Sequence, residues 1–127
     1  MVPTDIVRKS IWQGRDVVEM ARVEIDGECI VQADITSISR KIYDLTGGTP
    51  ATSIDESTPL KTSVIFNTLQ TGGPWSEDGT GYNFKQRIAG AEFPDAGHKY
   101  RVEYKFTGAA GELFALVFEH ETQTTYV

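Results

Sequence analysis

The chain has one cysteine, two histidines, no run of basic residues and no apolar stretch of membrane-spanning length in its 127 residues. Each scarcity excludes something. A lone Cys29 rules out an internal disulfide and a Cys-rich zinc site. Its alternation with Val31, Ala33 and Ile35 favours a small buried hydrophobe over a reactive thiol. A formal charge of −6, with lysines and arginines scattered, offers no positive field to nucleic acid or an anionic membrane. Met1-Val-Pro-Thr-Asp5 lacks the basic start and apolar core of a secretory signal. The expectation is a soluble protein made in the cytoplasm that binds neither nucleic acid nor membrane. No Gly-rich phosphate loop, nucleophile elbow, His-Glu-x-x-His pair or EF-hand loop occurs. No enzyme activity, catalytic residue, cofactor or metal is therefore expected.

What is present is the period-two pattern of sheets. Tyr100, Val102, Tyr104 and Phe106 alternate with Arg101, Glu103, Lys105 and Thr107, as in a strand with one buried and one wet face. The strand follows the turn cluster Phe93-Pro-Asp-Ala-Gly97. An aromatic-led strand after such a turn suggests the late strands of an immunoglobulin-like sandwich, where a corner tyrosine bonds back to the chain. Asp26-Gly27 predicts a tight hairpin between a strand over 16–26 and a return strand over 28–38. Beyond Ile38 the β-branched residues favour strand, bend, strand over a helix. Residues 46–59 are a loop by composition, 62–66 a short strand, 67–75 irregular, and 82–88 a further strand. The fold expected is an all-β, antiparallel, immunoglobulin-like β-sandwich of seven to eight strands. Residues 1–15 form an amino-terminal arm or edge strand, 16–121 the sandwich, and 122–127 a carboxy-terminal tail.

Two regions stand out as candidate surfaces. Leu113-Phe-Ala-Leu-Val-Phe118 is apolar at every position, so both faces need cover, either from a long loop of this chain or from another subunit. With the apolar points of the arm, this gives a candidate interface of Ile6, Ile11, Trp12, Phe114, Leu116 and Phe118. The second region is Trp75-Ser-Glu-Asp-Gly-Thr-Gly-Tyr-Asn-Phe84, where Trp75 and Tyr82 offer an alternative stacking surface for a sugar, although core anchoring is the simpler role. Glu77, Asp78 and Asn83 are oxygen donors suited to calcium, but Asp78 is better read as bracing the turn. Glu77 and Asp78 are adjacent, so as a catalytic pair they diverge. His98 and His120 are read as surface imidazoles rather than metal ligands, for want of a second ligand pair.

The runs Asp34-Ile-Thr-Ser-Ile38, Leu69-Gln-Thr71, Trp75 to Phe84 and Phe93 to Tyr104 resemble a group of small virion proteins of tailed bacteriophages and prophages. The likeness spans about residues 22–118. It implies a β-rich, non-enzymatic structural component of the virion, made in the bacterial host cytoplasm. Its partners would be other virion proteins, contacted as a homo-oligomer or on a lattice in capsid decoration, the neck or the tail. The alternative is a carbohydrate- or receptor-binding β-sandwich module using Trp75, Tyr82 and the 46–59 loop.

Overall fold

The computed structural model of the chain describes residues 2–12, 14–25, 27–46, 52–73, 75 and 77–123, with side chains described from residue 10 onward. The strands are β1 (Val2–Trp12), β2 (Val17–Ala21), β3 (Glu24–Ile25), β4 (Glu28–Cys29), β5 (Ile35–Asp44), β6 (Asp55–Ser57), β7 (Ile65–Gln70), β8 (Tyr82–Ile88), β9 (Lys99–Gly108) and β10 (Leu113–Gln123). A single turn of α-helix, α1 (Lys61–Val64), precedes β7. The five-stranded sheet has the order β1-β10-β9-β5-β6, the three-stranded sheet β2-β8-β7, and β3-β4 is a separate hairpin. All pairings are antiparallel except β1 with β10. The protein is therefore all-β.

The best-patterned strand fulfils its pattern. Tyr100, Val102, Tyr104 and Phe106 of β9 are fully buried. They face the three-stranded sheet, whose Phe84 meets Tyr104 edge-on at 4.8 Å between ring centroids and Phe106 at 5.9 Å. Phe84 also stacks on Phe118 of β10 at 6.4 Å. One aromatic cluster thus joins the two sheets face to face, and each fully buried ring contributes about 1.5–3 kcal/mol relative to exposure.

Several expected boundaries differ. β5 runs unbroken through Ile38, because pairing with β9 continues on both sides of it. Residues 61–64 make a helical turn instead of a strand, and β7 occupies part of the stretch expected to be irregular. β6 lies within the expected 46–59 loop and pairs with β5; residues 47–51 of that loop lie outside the described residues. The expected return strand over 28–38 is only the two residues of β4, followed by a 3-10 turn at Gln32–Asp34. The expected hairpin forms between β3 and β4 with register Ile25 to Glu28, and Gly27 has the positive φ of 81° that a tight turn uses, while Asp26 lies outside the described residues.

β10 resolves its own puzzle. It is an interior strand, with β9 on one side and β1 on the other. Phe114, Leu116 and Phe118 point into the core between the sheets, while Ala115 and Val117 on the opposite face are 1% and 5% exposed within the single chain. Ala115 is flanked in register by Lys105 and Pro3, and Val117 by Glu103 and Ile6. β9 is interior as well and keeps its alternation, so position in the sheet does not account for the difference; on β10 the outward-facing Ala115 and Val117 are themselves buried within the chain.

Candidate functional site

The structure separates the residues expected to form an interface. Phe114, Leu116, Phe118 and Ile11 are buried members of the core, so this chain's own second sheet covers what another subunit had been invoked to cover. Trp12 alone of the set is an exposed aromatic, at 53%. The backbone of Ile6 lies in β1, paired in register with Val117, and its side chain lies outside the described residues. Residues 2–12 of the arm form an edge strand.

Trp75 and Tyr82 come together, but not as a platform. Tyr82 is buried between Phe66, edge-on at 5.7 Å, and Trp75, tilted at 5.6 Å. The Trp75 indole N–H donates to the Asp78 carbonyl at 3.1 Å and to its carboxylate at 3.3 Å. Asp78 Oδ1 also accepts the backbone N–H groups of Thr80 and Gly81, both at 3.0 Å, and Oδ2 accepts from Arg22 at 2.8 Å. The Gly81 N–H and then the Arg22 guanidinium hold the Asp78 carboxyl down at about 2. Asp78 thus braces the turn. Gly81 is obligatory there, since a Cβ would lie 2.2 Å from the Gln70 carbonyl oxygen and φ is 106°. Asn83 is not a calcium donor: it is buried, and its amide is bonded to the backbone of Val23 and Ile30, anchoring the β3-β4 hairpin.

A polar network that sequence reasoning missed lies between the sheets. Glu19 of β2, 1% exposed, accepts the Tyr104 hydroxyl at 2.5 Å through Oε1 and lies 2.6 Å from His120 Nε2 through Oε2. Tyr104 Oη is also 2.7 Å from Gln86 Oε1, which accepts from Arg40 at 3.3 Å. Arg40 continues to Asp55 at 2.8 Å. Burial, and then the neighbouring Glu19, push the Tyr104 hydroxyl well above its usual range. Burial, followed by Asp55, likewise raises the Glu92 carboxyl. The signal was available in the inward register. Glu19 shares a face with Val17 and Ala21, Arg40 lies between Ile38 and Ile42, and His120 follows Phe118 by two. His120 is therefore not a surface imidazole. A carboxylate, an imidazole and a phenol at these distances resemble acid–base machinery, but a catalytic group must reach a reacting atom. Glu19 and His120 are both 1% exposed and pair across the core, Glu19 from β2 and His120 from β10, so the network links sheet to sheet.

His98 lies elsewhere, partly exposed at the start of β9. Its Nδ1 is 2.8 Å from Asp44 Oδ2 and 4.0 Å from Asp95 Oδ2. Partial burial opposes ionisation of Asp44, but the Thr46 N–H and His98 outweigh it and lower its carboxyl. Beside it the Tyr100 hydroxyl accepts the Asp95 backbone N–H at 3.0 Å, so the tyrosine does bond back across the corner. The two histidines are not brought to a common site. No family model, no curated protein and no solved structure matches the chain.

Proposed function

We propose that the chain is an immunoglobulin-like structural subunit of a tailed-phage virion, added to a repeated protein assembly as a capsid decoration, neck or tail component. The observation that carries this reading is β1. Its eleven residues form an outer strand of the large sheet, paired on one side only among the described residues, and lead to the exposed Trp12. An edge of this length presents a row of backbone donors and acceptors that suits addition of a strand from a neighbouring protein. Trp12 supplies the kind of aromatic anchor on which interfaces depend.

Strand order supports the immunoglobulin-like assignment. The order β10-β9-β5-β6 follows the G-F-C-C′ arrangement of variable-type domains, and β2-β8-β7 follows B-E-D. Tyr100 occupies the corner position near the start of the strand equivalent to F. The cross-sheet disulfide of antibody domains has no counterpart here, and Glu19 with Tyr104 and His120 links the sheets instead. Fold alone does not choose a role. The virion component of the proposal rests on the sequence resemblance together with the open edge. No specific observation favours the carbohydrate-binding alternative, since Tyr82 is covered and the Trp75 indole N–H is already bonded.

Mass spectrometry of gradient-purified particles from a producing host tests the reading. The protein should band with particles at a stoichiometry matching a ring or lattice. Recovery only in the particle-free lysate would overturn it.

A further inference from the structure

We propose that Asp44, Asp95 and His98 form a binding site for a single zinc-class divalent cation at the end of the sandwich, independently of the virion reading. One ligand atom from each of the three lies within 4.8 Å of the others. Atoms about 2.1 Å from a tetrahedral ion lie about 3.4 Å apart. The separations from His98 Nδ1, 2.8 Å to Asp44 and 4.0 Å to Asp95, bracket that spacing, so modest side-chain shifts reach it. Asp95 is the exposed member, and a small rotation of its side chain completes the set. One imidazole nitrogen with two carboxylates suits zinc, cobalt or manganese better than calcium or magnesium, which favour all-oxygen shells. Three protein ligands leave a fourth position for water or for a donor from a bound partner.

Charge supports a cation rather than a simple ion pair. Among the described residues, the ion pairs of Asp44 and Asp95 at this site are with His98, so two carboxylates face one imidazole. Even a protonated His98 would leave net negative charge.

The site is also held from outside, as metal ligands commonly are. Asp44 Oδ1 accepts the Thr46 N–H at 2.9 Å, which directs Oδ2 toward His98. Thr46 is itself fixed by the Lys99 N–H donating to its hydroxyl at 2.7 Å. The Asp95 carbonyl accepts the Thr122 hydroxyl at 2.5 Å, and the His98 N–H donates to the same hydroxyl oxygen at 3.2 Å. The imidazole stacks over Tyr100 at 6.1 Å. Thr122 and Tyr100 thus tie both sides of the corner to one frame.

Titration calorimetry and native mass spectrometry of the full chain with zinc chloride, repeated with cobalt, test the proposal. One zinc per chain is expected. His98→Ala and Asp44→Asn should each weaken binding by about tenfold or more, the scale of response seen even when an outer-shell partner of a metal is lost. Asp95→Asn, at an exposed side chain with little bearing on the fold, should weaken it too. Cys29→Ser should leave binding unchanged. Absence of zinc binding to the wild-type chain would overturn the site, and so would binding that all three ligand variants retain.

Discussion

The two histidines make nearly the same contact in opposite surroundings. His120 lies 2.6 Å from Glu19 with both side chains sealed in the core, at 1% and 0% exposure, whereas His98 lies 2.8 Å from Asp44 at 32% and 23%. Distance alone would equate them. Water makes the difference. A surface pair is screened and has an alternative in solvent, so its net worth is about 0–1 kcal/mol. Removing one member of a buried pair leaves a desolvated polar group, at a cost of about 3–5 kcal/mol. The core pair is fixed structure, and the surface pair remains open to reorganisation around a ligand.

The largest effect should come from breaking the buried pair. Glu19→Ala or His120→Ala is expected to lose about 3–5 kcal/mol in urea unfolding, while an apolar replacement of both together should recover much of it. If both single variants unfold as the wild type does, the sheets are not held by this network. Tyr104→Phe removes one hydroxyl from the same network and should cost about 1–3 kcal/mol. Gly81→Ala combines backbone strain with an overlap on the Gln70 carbonyl, and about 1–3 kcal/mol should be lost, read from the thermal midpoint.

Asp78 sharpens the surface side of the comparison. Its carboxyl is lowered from 3.8 to about 2 in the folded chain, so its contribution is complete above the unfolded value and lost as pH falls through that interval. Acid unfolding of Asp78→Asn should therefore be less steep between pH 4 and pH 2 than that of wild type. Smallest of all, His98→Ala without metal should change stability by no more than about 1 kcal/mol.

These contrasts also explain what was legible in the sequence. β9 could be read directly because its alternation is local and its inward face wholly apolar. The Asp26-Gly27 hairpin is equally local. The parallel pairing of β1 with β10 joins opposite ends of the chain, and no local pattern encodes it. Leu113 to Phe118 looked like a strand whose faces needed cover from outside, when the three-stranded sheet of the same chain already covers Phe114, Leu116 and Phe118. Glu19, Arg40 and His120 were visible as polar residues on apolar faces. Their mutual contacts were not, since Glu19 is 85 residues from Tyr104 and 101 from His120. Core anchoring of Trp75 and Tyr82 was the simpler sequence reading, but the bonds from the Trp75 indole to Asp78 within the turn were not legible. The triad of Asp44, Asp95 and His98 needed the register of β5 against β9, which brings Asp44 opposite Tyr100.

The central claim is that β1 adds this chain to a larger assembly through its open edge. Backbone hydrogen exchange of the purified protein, free and bound to phage particles, tests it most directly. Amides in residues 2–12 should gain protection on binding while those at 75–82 do not change. Protection confined to 75–82, or β1 amides that exchange equally fast in both states, would contradict it.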